Sequence, residues 1–262
     1  MPEPKFRPAT PLQPRKRAIV VGASSGIGAA LARKLAREGY LVALLARREK
    51  HLKTLCDEIN KTSGERRACY YVHDVTDYPA IPDLLQRIIN DLGGLDLFIY
   101  NTGIQNMVRL DEFNFSADRE TLEINTIGAL AWLNPVAAMF HALKAGHIVG
   151  ISSVAGDRGR VGAPAYNTSK AALTTYLEAL RNRLTRRGVT VLTVKPGFVE
   201  TDLLRVAGPR RMFWLITADQ AANGIWNAIK SHKQTVYVPG QWAVLMLVIR
   251  HIPSIIFRKL SF

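Results

Sequence analysis

Ala18-Ile19-Val20-Val21-Gly22-Ala23-Ser24-Ser25-Gly26-Ile27-Gly28 is a short apolar run rich in β-branched residues that breaks into a glycine turn. It then continues as a helical pattern through Leu31 and Leu35. The first half suits a buried strand, and the spacing of the second half suits a helix with one apolar face. Between them, Gly22, Gly26 and Gly28 follow the pattern G-x-x-x-G-x-G. Glycine has no Cβ and tolerates positive φ, so the backbone can turn sharply and come close to a ligand. A strand, a glycine turn and a helix in that order aim the first N–H groups of the helix at whatever lies in the turn, and such groups favour an anion. A glycine turn can also serve packing alone, so the remainder of the chain has to decide.

Working outward, the same alternation repeats. A strand at Leu41-Val42-Ala43-Leu44-Leu45 is followed by a charged helix with Leu52, Leu55 and Ile59 in register. A third strand is expected near 68–72, a helix near 78–92, and a fourth strand at 95–100. A helix from about Ala117 carries Asn125, with Pro135 expected to break or kink it. A fifth strand ends at Ser152, a helix runs to about Arg187, and a sixth strand covers 189–194. This β-α alternation predicts an α/β fold of the Rossmann type: a doubly wound parallel sheet of about seven strands with helices on both faces. Its ligand site lies at the carboxyl ends of the strands.

The second signal is the run Ala165-Tyr166-Asn167-Thr168-Ser169-Lys170. On a helix, a four-residue spacing puts the phenol of Tyr166 and the ammonium of Lys170 on one face. A free phenol titrates near ~10, and a cation close by is expected to lower that value and let the tyrosine pass a proton. Ser153, thirteen residues before Tyr166 and at the tip of the fifth strand, offers a hydroxyl to the same oxygen atom. Ser152 is its rival, and the offset to Tyr166 favours Ser153.

Together these motifs resemble the short-chain dehydrogenase/reductase family in its compact single-domain branch, over about residues 18–201. The likeness also includes Asp74-Val75, Asn101-Thr102-Gly103, Asn125 and Pro196-Gly197-Phe198-Val199-Glu200-Thr201, six motifs in the family's order. Two departures are small: Thr102 stands where the family has Ala, and Val21 precedes Gly22 where Thr is common. The resemblance implies hydride transfer between a nicotinamide and a carbonyl or alcohol carbon. It gives Tyr166 the proton, Ser153 the carbonyl, and Lys170 the ribose hydroxyls, and it has Asn125 hold a water that links Lys170 to solvent. It also implies a dinucleotide held by Gly22, Ser24, Ser25, Gly26, Ile27 and Gly28. Asp74 and Val75 would meet the adenine, Asn101 and Gly103 the adenosine and nicotinamide side, and Pro196, Gly197, Val199 and Thr201 the carboxamide. A homodimer or homotetramer built on the helices bearing Asn125 and Tyr166 is likewise what the resemblance implies.

Cofactor choice can be read from the end of the second strand. A carboxylate there would bond a ribose 2′-hydroxyl, but this strand ends Leu45-Ala46-Arg47-Arg48. Guanidinium groups suit a 2′-phosphate, so NADP(H) is expected, with Arg47 the main determinant, Ser24 its helper, and Arg48 either a partner or a solvated surface charge. The segment at about 198–217, where the resemblance implies the substrate loop, is apolar with three arginines, which points to a hydrophobic small-molecule ketone or alcohol with a polar or anionic end. A 3-oxoacyl-thioester reductase would use the same catalytic set. A non-catalytic NADP-binding scaffold or sensor would share the glycine turn and have no use for Asn125, Ser153, Tyr166 and Lys170 together.

The 262 residues, 48% of them hydrophobic, suffice for one domain, at 18–240. Cys56 and Cys69 have no partner spacing that would suggest zinc and read as reduced thiols of a cytoplasmic protein. The net charge is +14, but the basic residues are dispersed and match no nucleic-acid module, so no nucleic-acid partner is expected. Residues 1–17 read as a disordered, basic, proline-rich arm without the apolar stretch of a signal peptide. Residues 241–262 form an apolar and basic tail. Its run 242–249 is too short to span a bilayer, which takes about 20 residues. The tail fits the inner face of a membrane, a cover over the active site, or a subunit interface.

Overall fold

The computed structural model describes residues 16–206 and 212–260, without the side chains at 205 and 206. The expected arm at 1–17 therefore falls almost wholly outside the described residues, as do Arg210, Arg211 and the side chain of Arg205.

Seven parallel strands form one sheet: β1 (Arg17–Val21), β2 (Leu41–Ala46), β3 (Ala68–Val72), β4 (Leu97–Tyr100), β5 (His147–Ile151), β6 (Thr190–Pro196) and β7 (Thr235–Val238). Their order is β3-β2-β1-β4-β5-β6-β7. Strand order reverses between β1 and β4, and the crevice at that point, outside the carboxyl ends, is where an open α/β sheet takes its ligand. Because side chains alternate across a strand, β1 divides between two cores. Ala18 and Val20 pack with α1 (Gly26–Arg37), α2 (Glu49–Ser63) and α8 (Ala218–Lys230). Ile19 and Val21 pack with α3 (Ile81–Leu92), α5 (Gly128–Leu143) and α6 (Pro164–Leu184) on the other face.

Three local features differ from expectation. The fourth strand starts at Leu97 instead of 95, because the Asp96 carboxylate accepts from the Arg17 backbone N–H at 3.0 Å and pairs with its guanidinium at 2.9 Å. The helix that carries Asn125 starts earlier, as α4 (Phe115–Leu122), where the Asn114 side chain caps Ala117 N–H at 3.2 Å. Third, Pro135 lies inside α5, which runs on to Leu143, so of the expected break or kink the break is absent. Between α4 and α5 the backbone widens into one π turn, Glu123–Ile127, a feature frequent at functional sites. The stretch Phe115–Leu143 is apolar and long enough to cross a membrane, but Trp132, Leu133, Val136 and Phe140 are buried in the core beneath the sheet.

The short α7 (Asp202–Val206) follows β6, and beyond β7 the chain forms α9 (Gln241–His251) and α10 (Ser254–Phe257). Trp242 and Met246 of α9 are buried against Val154, with Phe198 and Tyr237 packed around them. The tail is thus docked beside the carboxyl ends of β5, β6 and β7.

Candidate active site

The glycine turn owes its shape to backbone contacts. Gly22 has φ +86° and Gly26 φ +54°, and the Gly22 and Ala23 N–H groups both donate to the Leu45 carbonyl, at 2.8 and 3.0 Å. Asn101 ties the turn across the switch point: its side-chain amide donates to the Gly22 carbonyl at 2.9 Å and its backbone N–H to the Val21 carbonyl at 2.9 Å. A Cβ on Gly22 would lie 2.7 Å from the Thr102 nitrogen, and one on Gly26 would lie 2.9 Å from the Thr201 methyl. A Cβ on Gly28 would run into the Gly22 carbonyl, so this third glycine serves the contact of α1 with β1. Ser25, at the start of α1, makes no capping bond, which leaves the first amides of the helix for another acceptor.

One cleft of about 580 Å³ opens over this turn. It gathers Gly22, Ser24, Ser25, Gly26, Ile27, Arg47, Arg48, Asp74, Val75, Asn101 and Gly103 on one side. On the other lie Ser153, Tyr166, Lys170, Pro196, Gly197, Val199 and Thr201. Of the residues expected to build the site, Gly28 and Asn125 stand behind its wall. The two arginines reach different groups. Arg47 Nη1 lies 3.6 Å from Asp74, and its side chain is well exposed. Arg48 reaches back over the turn: Nη2 donates to Ser24 Oγ at 3.0 Å and to Ser25 Oγ at 2.6 Å, and Nη1 lies 3.5 Å from Asp202. The hydroxyl of Ser24, expected beside Arg47, thus bonds Arg48. Asp74 is partly buried, which pushes its carboxyl up, but the Thr76 hydrogen bonds and Arg47 outweigh this and leave it below its usual value.

The two serines part company. Ser152 Oγ donates to the Lys170 carbonyl at 2.9 Å and meets Thr174 Oγ1 at 2.8 Å, so it is consumed by α6. Ser153 Oγ accepts from the Ala155 N–H at 3.1 Å and donates to the Pro196 carbonyl at 3.5 Å. Lys170 Nζ lies 5.8 Å from the centre of the Tyr166 ring and donates to the Ile151 carbonyl at 3.1 Å. Gly103 lets that amine lie close, since a Cβ there would sit 3.1 Å from Nζ.

The electrostatic balance departs from the sequence expectation. Burial pushes the Tyr166 phenol up, while the Ser153 hydroxyl and the charge of Arg160 draw it back; the lysine is not among the groups that lower it. Lys170 is buried too, and burial alone pulls its amine down to about 8. The phenol is thus held in its protonated form at neutral pH, and burial leaves the amine well below the ordinary lysine value.

Asn125 is fully buried in the π turn. Its Oδ1 accepts from the Ile104 N–H at 2.7 Å, and its Nδ2 donates to the Ile104 carbonyl at 2.8 Å and to Ser169 Oγ at 3.0 Å. The side chain pins the cleft segment that follows β4 to α6. Sequence reasoning did not single out Arg160, Ser169 or Asp202. Arg160 lies between the serine and the tyrosine in the chain and lines the cleft, but its distance from Tyr166 is a property of the fold.

The donor set suits a dinucleotide: a glycine turn without Cβ atoms, open helix amides and two arginines at one end, proton donors at the other. No group of His, Cys, Asp and Glu among the described residues could hold a metal ion.

A sequence profile of the family described as short chain dehydrogenase matches residues 16–211. An uncharacterized oxidoreductase of Myxococcus xanthus is 34% identical over 242 residues, covering 92% of this chain and 94% of the relative. Among solved structures, a short-chain dehydrogenase from Sphingobium yanoikuyae in complex with NADPH superposes with a TM-score of 0.79 at 22% identity, over 91% of this chain and 97% of that one. An alcohol dehydrogenase from Thermococcus sibiricus complexed with 5-hydroxy-NADP gives 0.77 at 23% identity, over 86% and 96%. At these identities the superpositions speak for the fold.

Proposed function

This chain belongs to the short chain dehydrogenase family, and from that premise we propose that it is an NADP(H)-dependent oxidoreductase acting on the carbonyl or alcohol carbon of a hydrophobic, lipid-like substrate. The observation that carries the reading is the meeting of Ser153, Tyr166 and Lys170 in the cleft that the glycine turn and Arg48 close at its far end. NADP complexes of two structural neighbours support the cofactor.

When bound, the nicotinamide supplies or accepts the hydride. Ser153 donates a hydrogen bond to the substrate oxygen and fixes the carbonyl against Tyr166. As negative charge develops on that oxygen, Tyr166 gives up its proton to it. Proximity and orientation supply the rest of the acceleration, because Tyr166 is held by α6 and Ser153 sits at the turn two residues past β5. Lys170, anchored on the Ile151 carbonyl, restores charge near the phenol as proton is lost and bonds the ribose. Arg48, with Ser24 and Ser25, receives the 2′-phosphate, and Arg47 covers its outer side. Phe198, Leu203, Leu204 and Met212 line the substrate end, which supports an apolar substrate. The charge of Arg160 beside Tyr166 supports a polar or anionic group on it. Assembly through the outer faces of α5 and α6 completes the proposal.

NADPH oxidation against 3-oxoacyl esters, keto-sphingoid bases, steroids and quinones tests it. Turnover of a lipid-like ketone is expected, with carrier-bound 3-oxoacyl chains marking the thioester alternative. A protein that binds NADPH and turns over none of these would sink the lipid-like assignment; one that binds no NADPH would sink the cofactor.

A further inference from the structure

Helix α9 is apolar on both sides. Its inner stripe, Trp242, Leu245, Met246 and Ile249, packs on the body, and Trp242 meets Phe198 and Trp214 edge-on, each with ring centres 5.5 Å apart. The opposite stripe of a soluble surface helix is normally polar. Here it is Val244, Leu247 and Val248, which are 70%, 60% and 59% exposed. The next short helix adds Ile255 and Ile256, 62% and 52% exposed. Arg158 fixes both helices to the body. Its Nη1 donates to the carbonyls of Ile249, Arg250 and Ile252, at 2.9, 3.0 and 2.6 Å, and its guanidinium lies 4.1 Å over the Phe257 ring. The apolar face is therefore held rigidly in the open.

Charge says what covers it. Residues 241–260 carry Arg250, Arg258 and Lys259 and not one carboxylate. All three cations are exposed, and they flank the apolar face. An eleven-residue helix is too short to span a bilayer, but an apolar stripe bordered by cations suits the plane of an anionic headgroup region. Trp214, half exposed against Trp242, is the side chain that favours that depth.

We propose that the outer face of α9 and α10 lies on an anionic lipid bilayer. Phe198, which the inner-stripe Trp242 packs against, also lines the cleft, so the helix that carries the lipid-facing stripe is seated beside the substrate end. The surface is independent of the chemistry proposed above.

The test is flotation of the full chain with vesicles of phosphatidylcholine alone or mixed with phosphatidylglycerol, at low and high salt. No turnover is measured, so its outcome is separate from that of the ketone panel. The wild type is expected to float with the mixed vesicles at low salt and to be released by high salt. Leu247→Asp with Val248→Asp, and separately Arg258→Glu with Lys259→Glu, are each expected to weaken partitioning by about tenfold or more. Both pairs are exposed, so melting curves should stay at the wild-type position. A wild type that ignores mixed vesicles at low salt overturns the proposal, as do variants that float like the wild type. A dimer that falls to monomer in the Leu247→Asp, Val248→Asp variant also overturns it, because a second copy would then cover this face.

Discussion

Replacing Arg48 by Ala should change which cofactor the enzyme prefers while leaving the fold intact. Arg48 makes three hydrogen bonds to the hydroxyls of Ser24 and Ser25 and lies 3.5 Å from Asp202. Its guanidinium is thus already aimed at the mouth of the glycine turn, and little rotamer freedom is lost when a phosphate arrives. A charge-assisted hydrogen bond contributes about 1.5–3 kcal/mol. The side chain is nearly half exposed and shares its charge with Asp202, so solvent and the carboxylate reduce a forked pair to about 2 kcal/mol in total. That corresponds to about a thirtyfold loss in kcat/KM for NADPH, with NADH changed little. Arg47, more exposed and paired with Asp74 at 3.6 Å, should contribute about 1 kcal/mol, or about fivefold. The double variant should lose about a hundredfold, since neighbouring sites need not add. Steady-state kinetics with both cofactors read the result, and salt should lower NADPH affinity in the wild type more than in the double variant. A double variant whose NADPH to NADH ratio stays within about twofold of wild type would refute the assignment of the 2′-phosphate to this end of the cleft.

Two further outcomes follow from burial. Lys170 has its amine pulled down to about 8 by burial, against 10.5 when free, so the folded state binds fewer protons than the unfolded one between these values and stability rises with pH there. Below pH 8 the charged amine costs the fold about 3 kcal/mol. Lys170→Met should therefore raise Tm at pH 7 and abolish turnover, with the stability gain fading as pH approaches 10.5; a Tm at pH 7 at or below wild type would contradict this. Gly28→Ala forces a methyl into the Gly22 carbonyl and the Asn101 amide, 2.6 Å away, and should cost about 2–3 kcal/mol by denaturant unfolding. A wild-type midpoint would show that the turn can relax.

The alternation of strands and helices was legible because apolar β-branched runs such as Ala18-Ile19-Val20-Val21 are short and bounded by turn residues. Six of the seven strands and the shared helix face of Tyr166 and Lys170 follow from local spacing; β7 and the strand order do not. Properties that depend on neighbours distant in the chain were not legible. Pro135 reads as a break or kink, and the helix after the π turn continues through it to Leu143 without a break. Arg47 and Arg48 are adjacent, and only the path of the chain after β2 shows that Arg48 reaches the serines. The amide of Asn125 is consumed by Ile104 and Ser169, 21 and 44 residues away. The direction of the Tyr166 shift turns on burial, which outweighs its hydroxyl and cationic neighbours. The inner stripe of α9 found its partners in Val154 and Phe198, which no periodicity could name.

The most direct measurement is turnover by Tyr166→Phe beside its affinity for NADPH. The Tyr166 ring packs with Ala155 and Ala163, and phenylalanine keeps that packing, so the dissociation constant should stay within about threefold of wild type. Removal of a positioned proton donor should lower kcat by about 10²–10⁴-fold. A Tyr166→Phe enzyme that binds NADPH normally and keeps more than about a tenth of wild-type kcat would mean that the proton comes from elsewhere.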